Sequence, residues 1–142
     1  MVIERQQNDN QSKYVYDKLI EFNSRHMPDS VASNYEQINL MLLDDDGHVQ
    51  GGVLAYWIWN WMHVDILWVD ETLRGQGCGG QLLGEIERMA VERHCECIEL
   101  DTYSFQAPEF YMKKGYEVCG QIEYARGQVP RFYMVKRMEY AH

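Results

Sequence analysis

One stretch constrains this chain more than any other: Leu73-Arg74-Gly75-Gln76-Gly77-Cys78-Gly79-Gly80. It follows an apolar run, Ile66-Leu67-Trp68-Val69. It precedes Gln81-Leu82-Leu83-Gly84-Glu85-Ile86, whose apolar spacing is helical. A strand, a glycine-rich turn and a helix start together make an anion cradle. Glycine lets the backbone approach a ligand closely and take φ > 0 without steric cost. The first N–H groups of a helix lack intrahelical partners and point at whatever sits there. The cradle therefore suits a pyrophosphate. Two other phosphate loops fit less well. A P-loop sets Lys and Ser/Thr after its last Gly, where this chain has Gln81 and Leu82. The dinucleotide fingerprint G-x-G-x-x-G does not match Gly75-x-Gly77-x-Gly79. A purely structural turn would use the same glycines, and the loop alone does not decide between the two.

The rest of the chain supplies the context. Residues 2–5 read as an edge strand. Val15, Tyr16, Leu19, Ile20 and Phe22 mark a helix over residues 12–25, and residues 26–36 a loop or a short broken helix. Residues 38–43 read as a strand, and Asp44-Asp45-Asp46-Gly47 as a hairpin turn with a left-handed glycine. Two more strands, 50–59 and 62–69, flank a turn at Asn60-Trp61. Leu82, Leu83, Ile86, Met89 and Ala90 mark an amphipathic helix. A short buried strand (98–102), a short helix (108–114) stopped at Gly115, and two last strands (116–123 and 132–138) complete the chain. The order β-α-β-β-β-α-β-α-β-β describes an α+β domain on one sheet.

Composition narrows the function. A chain of 142 residues fits one domain over residues 1–142, with 46% hydrophobic and 25% charged residues as in globular proteins. No apolar run approaches the ~18 residues of a membrane span. The N-terminus carries no signal-peptide core, so a cytoplasmic protein without a membrane partner is expected. The net charge of −9 argues against a nucleic-acid partner, since phosphate contacts supply most of that affinity. It also means that an anionic ligand must be held by local N–H groups and nearby basic side chains. The four cysteines form no C-x-x-C pair, and no histidine sits at zinc spacing beside them, so no metal is expected. Cys95 and Cys97 read as thiols sharing one strand face. Cys78 sits at a helix N-terminus, where a thiolate is stabilised, but the sequence places no base beside it.

Two motifs now stand at a defined separation. Arg74-Gly75-Gln76-Gly77-Cys78-Gly79 fits Gln/Arg-x-x-Gly-x-Gly/Ala. Phe110-Tyr111-Met112-Lys113-Lys114-Gly115-Tyr116 fits aromatic-Tyr-x-Lys-x-Gly-aromatic, beginning 31 residues after Gly79. On these motifs, and on element order over residues 38–138, the chain resembles the GNAT N-acetyltransferase superfamily. The resemblance implies an α+β (α/β mixed) fold. Its one central sheet is mixed but mostly antiparallel, splayed between the fourth and fifth strands and flanked by helices.

It also implies a co-substrate, acetyl-CoA. The backbone N–H groups of Gln76, Gly77, Cys78, Gly79 and Gly80 would bind its pyrophosphate, with Arg74, Gly75 and Lys113 joining as motif members. Leu67, Trp68 and Val69 would pair with the pantetheine arm like an added strand. Many members carry an Asn where this chain has Ser104, which would reach the arm less far. Tyr111 would protonate the departing thiolate. A base on the fourth strand would take the amine proton, and His63 and Asp65 hold positions that the base can occupy.

The residues themselves fit such chemistry. Amine attack on a thioester needs a neutral amine, a stabilised oxyanion and a proton for sulfur. A phenol of pKa ~10 is a reasonable match for a leaving thiolate. Histidine titrates in the range needed to deprotonate an amine through water. Alternation places His63, Asp65, Leu67 and Val69 on one strand face. The same His and Asp could equally be solvated strand-edge residues. Tyr56, Trp57, Trp59 and Trp61 form an aromatic cluster on the preceding hairpin; such faces suit a cationic amine, and a tryptophan-rich edge also fits a homodimer. The leading expectation is transfer of an acetyl group to a small-molecule or peptide amine. The alternatives are a non-catalytic acyl-CoA sensor and a nucleotide-phosphate binder. The loops at 26–36 and 124–130 carry no motif that identifies the acceptor.

Overall fold

The computed structural model describes residues 1–31 and 34–140 and divides into two compact units, Met1–Ser33 and Asn34–His142. The first unit holds helix α1, Asp9–Ser24, whose N-cap Asn8 accepts a hydrogen bond from the Asn10 N–H at 3.0 Å. This cap starts the helix before the expected residue 12. Residues 2–5 form no strand, against expectation. Val2 and Ile3 are adjacent, so a strand there would turn them to opposite faces and bury only one. The expected loop at 26–36 lies partly outside the described residues.

The second unit is one six-stranded sheet in the order β1-β2-β3-β4-β6-β5. β1 (Tyr35–Leu43), β2 (Val49–Ile58) and β3 (Trp61–Val69) form an antiparallel meander. Helix α2 (Cys78–Glu92) crosses to β4 (Cys97–Tyr103), parallel to β3. Helix α3 (Pro108–Lys113) leads to β5 (Glu117–Tyr124), and β6 (Val129–Arg137) returns between β4 and β5, antiparallel to both. Gly47 takes φ 83°, as the hairpin turn required. The next turn falls at Trp59-Asn60, one residue earlier than expected, with Trp59 itself left-handed at φ 53°.

One face of the sheet carries the core. Val53, Met62, Val64, Ile98 and Met134 pack against Leu82, Leu83, Ile86 and Ala90 of α2, with Tyr111 and Tyr116 beside them. α2 brings all four of its buried residues to one stripe, the 3.6-residue period read in its sequence. Cys95 lies before β4 rather than in it, buried, with its N–H on the Ala90 carbonyl at 2.9 Å. Burial pushes its thiol up to about 11, which makes it inert.

Two irregularities interrupt the sheet at β3. β3 and β4 pair only from Trp61↔Cys97 to Val64↔Leu100, and beyond that they separate. Within β3, Ala55 faces Val64 while Leu54 faces Ile66, so Asp65 is the extra residue of a β-bulge. The bulge breaks the expected alternation. Leu67 and Val69 join Met62 and Val64 on the core face, and His63 lies on the other.

Candidate active site

The separation of β3 from β4 opens a cleft of about 880 Å³. One wall is β3 from Val64 to Val69, and the other is Leu100, Asp101 and Thr102 of β4. The glycine-rich loop closes one end, and Phe105, Gln106, Ala107, Phe110 and Tyr111 line the rest. β3 pairs with β2 on its far side. Its near edge past Val64 therefore turns main-chain N–H and C=O groups to the cleft without a strand partner. Such an edge accepts a strand-like guest.

The loop end is built to meet an anion. Gly75 (φ 81°) and Gly77 (φ 80°) are both left-handed, which favours glycine at each. Gly77 is the N-cap of α2 and offers no side-chain cap. The first intrahelical bond is the Gln81 N–H to the Gly77 carbonyl at 3.0 Å, so the N–H groups of Cys78, Gly79 and Gly80 precede the helical ladder. The first turn carries no acidic residue, so nothing there opposes a bound anion.

Most of the expected coenzyme residues gather here: Leu67, Trp68, Val69, Arg74, Gly75, Gly77, Cys78, Gly79 and Gly80 line the cleft. Three do not. Gln76 turns its amide back to the Thr72 carbonyl at 3.3 Å. Ser104 is exposed at the start of a 3₁₀ turn, and Lys113 is exposed on α3. Lys114 takes the place over the loop, with its Nζ 3.3 Å from where a Cβ on Gly80 would lie. Helical phase explains the exchange. Position 114 is three residues from Tyr111 and shares its side of the helix, whereas 113 is two away and does not. That phase was the available signal.

Tyr111 stands at the floor of the cleft, 8% exposed, edge-on to Phe110 (5.2 Å) and to Tyr116 (5.8 Å). Burial, and then the nearby Asp101 carboxylate, push its hydroxyl up to about 12. It is protonated at every ordinary pH and can donate.

His63 and Asp65 lie side by side, but only Asp65 lines the cleft. His63 Nε2 is 3.2 Å from Asp65 Oδ1, and Nδ1 is 3.3 Å from Glu99 Oε1 on β4. The hydrogen bond with Glu99, opposed by burial and aided by the charges of Glu99, Asp65 and Asp101, raises the imidazole above its ordinary value. Glu99 was invisible in the sequence because it meets His63 only through the parallel register of β3 and β4. Asp101 is held by Arg131, with Nε at 2.7 Å.

The aromatic cluster separates. Tyr56 stacks near His63 at 5.0 Å. Trp57 carries the Arg93 guanidinium over its ring at 5.2 Å on the core side, and Trp59 is buried. Alternation along β2 sends neighbours to opposite faces, so Tyr56 is on the His63 side and Trp57 is not.

Residues 4–116 match the Acetyltransferase (GNAT) family. An acetyltransferase from Bacillus cereus is 37% identical, with a TM-score of 0.83 over 97% of this chain and 98% of that one. Blasticidin-S acetyltransferase of Streptomyces morookaense is 40% identical over 77 residues. That match spans 54% of this chain and only 57% of the length of that relative. A Bacillus anthracis structure in complex with acetyl coenzyme A shares the fold at 22% identity, with a TM-score of 0.63 over 72% and 63% of the two chains.

Proposed function

This chain belongs to the GNAT acetyltransferase family, and on that premise we propose that it carries the acetyl group of acetyl-CoA to a primary amine of a small molecule or peptide. The observation that carries this reading is the cleft: an unpartnered strand edge on one wall, a glycine-rich helix start at one end and a buried phenol on the floor. In the proposed arrangement the N–H groups at Gly77 to Gly80 hold the pyrophosphate, aided by Arg74 and Lys114. The edge of Leu67, Trp68 and Val69 pairs with the pantetheine arm. The amine attacks directly, so an N–C bond forms as the C–S bond breaks. Tyr111 donates to the sulfur as charge develops there. His63, beside Asp65 at the cleft edge, takes the proton that the amine loses.

The side chains near the proposed point of attack favour a cationic acceptor. Asp65, Glu99 and Asp101 stand together, and only Asp101 is matched by an arginine. Tyr56 adds an aromatic face. The family match runs through both compact units, which supports reading residues 1–142 as one catalytic domain. A free-thiol release assay with acetyl-CoA over a panel of mono- and dicationic amines tests the reading, with mass spectrometry for the acetylated product. Release of thiol without product, or no release with any amine, would remove it.

A further inference from the structure

His63 is embraced from three strands. Tyr56 of β2 lies against its ring at 5.0 Å, Asp65 of β3 meets Nε2 at 3.2 Å, and Glu99 of β4 meets Nδ1 at 3.3 Å. Asp101, the next charged residue on β4, is tied to Arg131 of β6. The two carboxylates at the imidazole are not equivalent. Glu99 is the register partner of His63, set by the four paired positions that join β3 to β4. Asp65 sits on the bulge and lines the cleft, with its side chain 55% exposed against 21% for His63.

We propose that Glu99 is a positioning residue for acetyl transfer. By accepting the Nδ1 proton of His63, it leaves Nε2, beside Asp65 at the cleft edge, as the atom that takes the proton of the acceptor amine. The donor and acceptor inventory supports the division. A carboxylate only accepts, and neutral imidazole has one donor and one acceptor nitrogen. With the proton held toward Glu99, Nε2 is an acceptor beside the Asp65 carboxylate, which lines the cleft and also accepts. Only a donor can satisfy the two together, and an amine or ammonium N–H is such a donor. In the opposite tautomer Nε2–H would satisfy Asp65, and the pair would offer the amine nothing at that nitrogen. The proton balance closes. The amine proton passes to Nε2, Tyr111 gives its proton to the thiolate, and exchange with solvent restores both groups.

The inference rests on the reading of His63 as base, so the test separates the two. Measure kcat/KM against pH, and titrate the His63 ring by NMR, in the wild type, Glu99→Gln, Glu99→Ala and His63→Ala. Glu99→Gln keeps an acceptor but loses the charge, so its NMR midpoint and its rising kinetic limb should both move to lower pH. Its plateau rate should stay near wild type. Glu99→Ala loses the acceptor as well. Its plateau kcat should also fall, by no more than the ~10²–10⁴-fold that proton transfer supplies, with coenzyme Kd unchanged. A limb that His63→Ala abolishes and Glu99→Gln leaves in place overturns the role of Glu99 alone. A limb unmoved in both variants overturns the base reading, and this inference with it. An NMR midpoint that does not fall in Glu99→Gln also overturns the proposal.

Discussion

Lys114 holds its ammonium over Gly80, so that a Cβ added to the glycine would lie 3.3 Å from Nζ. The lysine belongs to the C-terminal end of α3 and the glycine to the first turn of α2. Their approach places a cation beside the N–H groups that precede the helical ladder of α2. Lys114→Met should weaken coenzyme A binding several-fold, on the order of 1 kcal/mol for a charge-assisted contact at an exposed position. It should also flatten the salt dependence of binding. Lys113→Met, on the exposed side of the helix, should do neither. Calorimetry at two salt concentrations checks this, and equal losses in the two variants would return the role to general charge.

Tyr111→Phe should retain coenzyme affinity and lose turnover. The ring keeps its edge contacts with Phe110 and Tyr116. Only the hydroxyl is lost, which should lower kcat by about 10²–10⁴-fold. Normal turnover would leave Tyr111 as a packing residue.

In the proposed mechanism the same hydroxyl sets the alkaline side of the rate profile. Burial pushes it up to about 12, well above a free phenol at ~10 or a thiol at ~8.5. As the proposed donor it would act as a neutral group rather than as a strong acid. kcat/KM should rise once with pH and then stay level to pH ~10.5, with no descending limb from this group. A descent centred near pH ~10 that disappears in Tyr111→Phe would contradict the buried placement.

Two glycines in one region should respond oppositely to alanine. Gly77 is left-handed at φ 80°, so Gly77→Ala should cost about 1 kcal/mol although its Cβ would meet nothing. Gly84 lies inside α2, also with open space around a Cβ, so Gly84→Ala should stabilise by about 0.5–1 kcal/mol. Denaturant unfolding of both variants checks the signs. Gly77→Ala should also weaken coenzyme A binding, and Gly84→Ala should not.

His63 predicts a pH dependence of stability. Its folded pKa is raised, chiefly by the Glu99 hydrogen bond. Its contribution is therefore fully present below the unfolded value of ~6.5 and is lost as pH rises through the folded value. The stability difference between wild type and His63→Asn should be largest near pH ~6 and should shrink on the alkaline side. A difference that grows with pH would mean the histidine is neutral in the fold.

Much of this was legible in the sequence, for local reasons. The glycine loop, Gly47, the α2 stripe and the Tyr111 segment are set by dihedral freedom and by periods of two and 3.6. The strand at residues 2–5 and the shared face of His63, Asp65, Leu67 and Val69 came from the same period-two rule. They failed where a partner decides: one segment pairs with no strand, and the other contains a bulge visible only against β2. Glu99 and Lys114 lie in the same class. Each meets its counterpart through a register or a packing angle that no single segment carries.

The separation of β3 from β4 divides the sheet into two three-stranded halves sewn together by four residue pairs. Every other junction between strands runs the length of the elements it joins. A guest that lies along the open margin of β3 lengthens that seam and supplies the stitches the chain itself omits. In this fold, filling the cleft is therefore equivalent to adding a piece of secondary structure. The departure of such a guest would loosen the joint between the two halves.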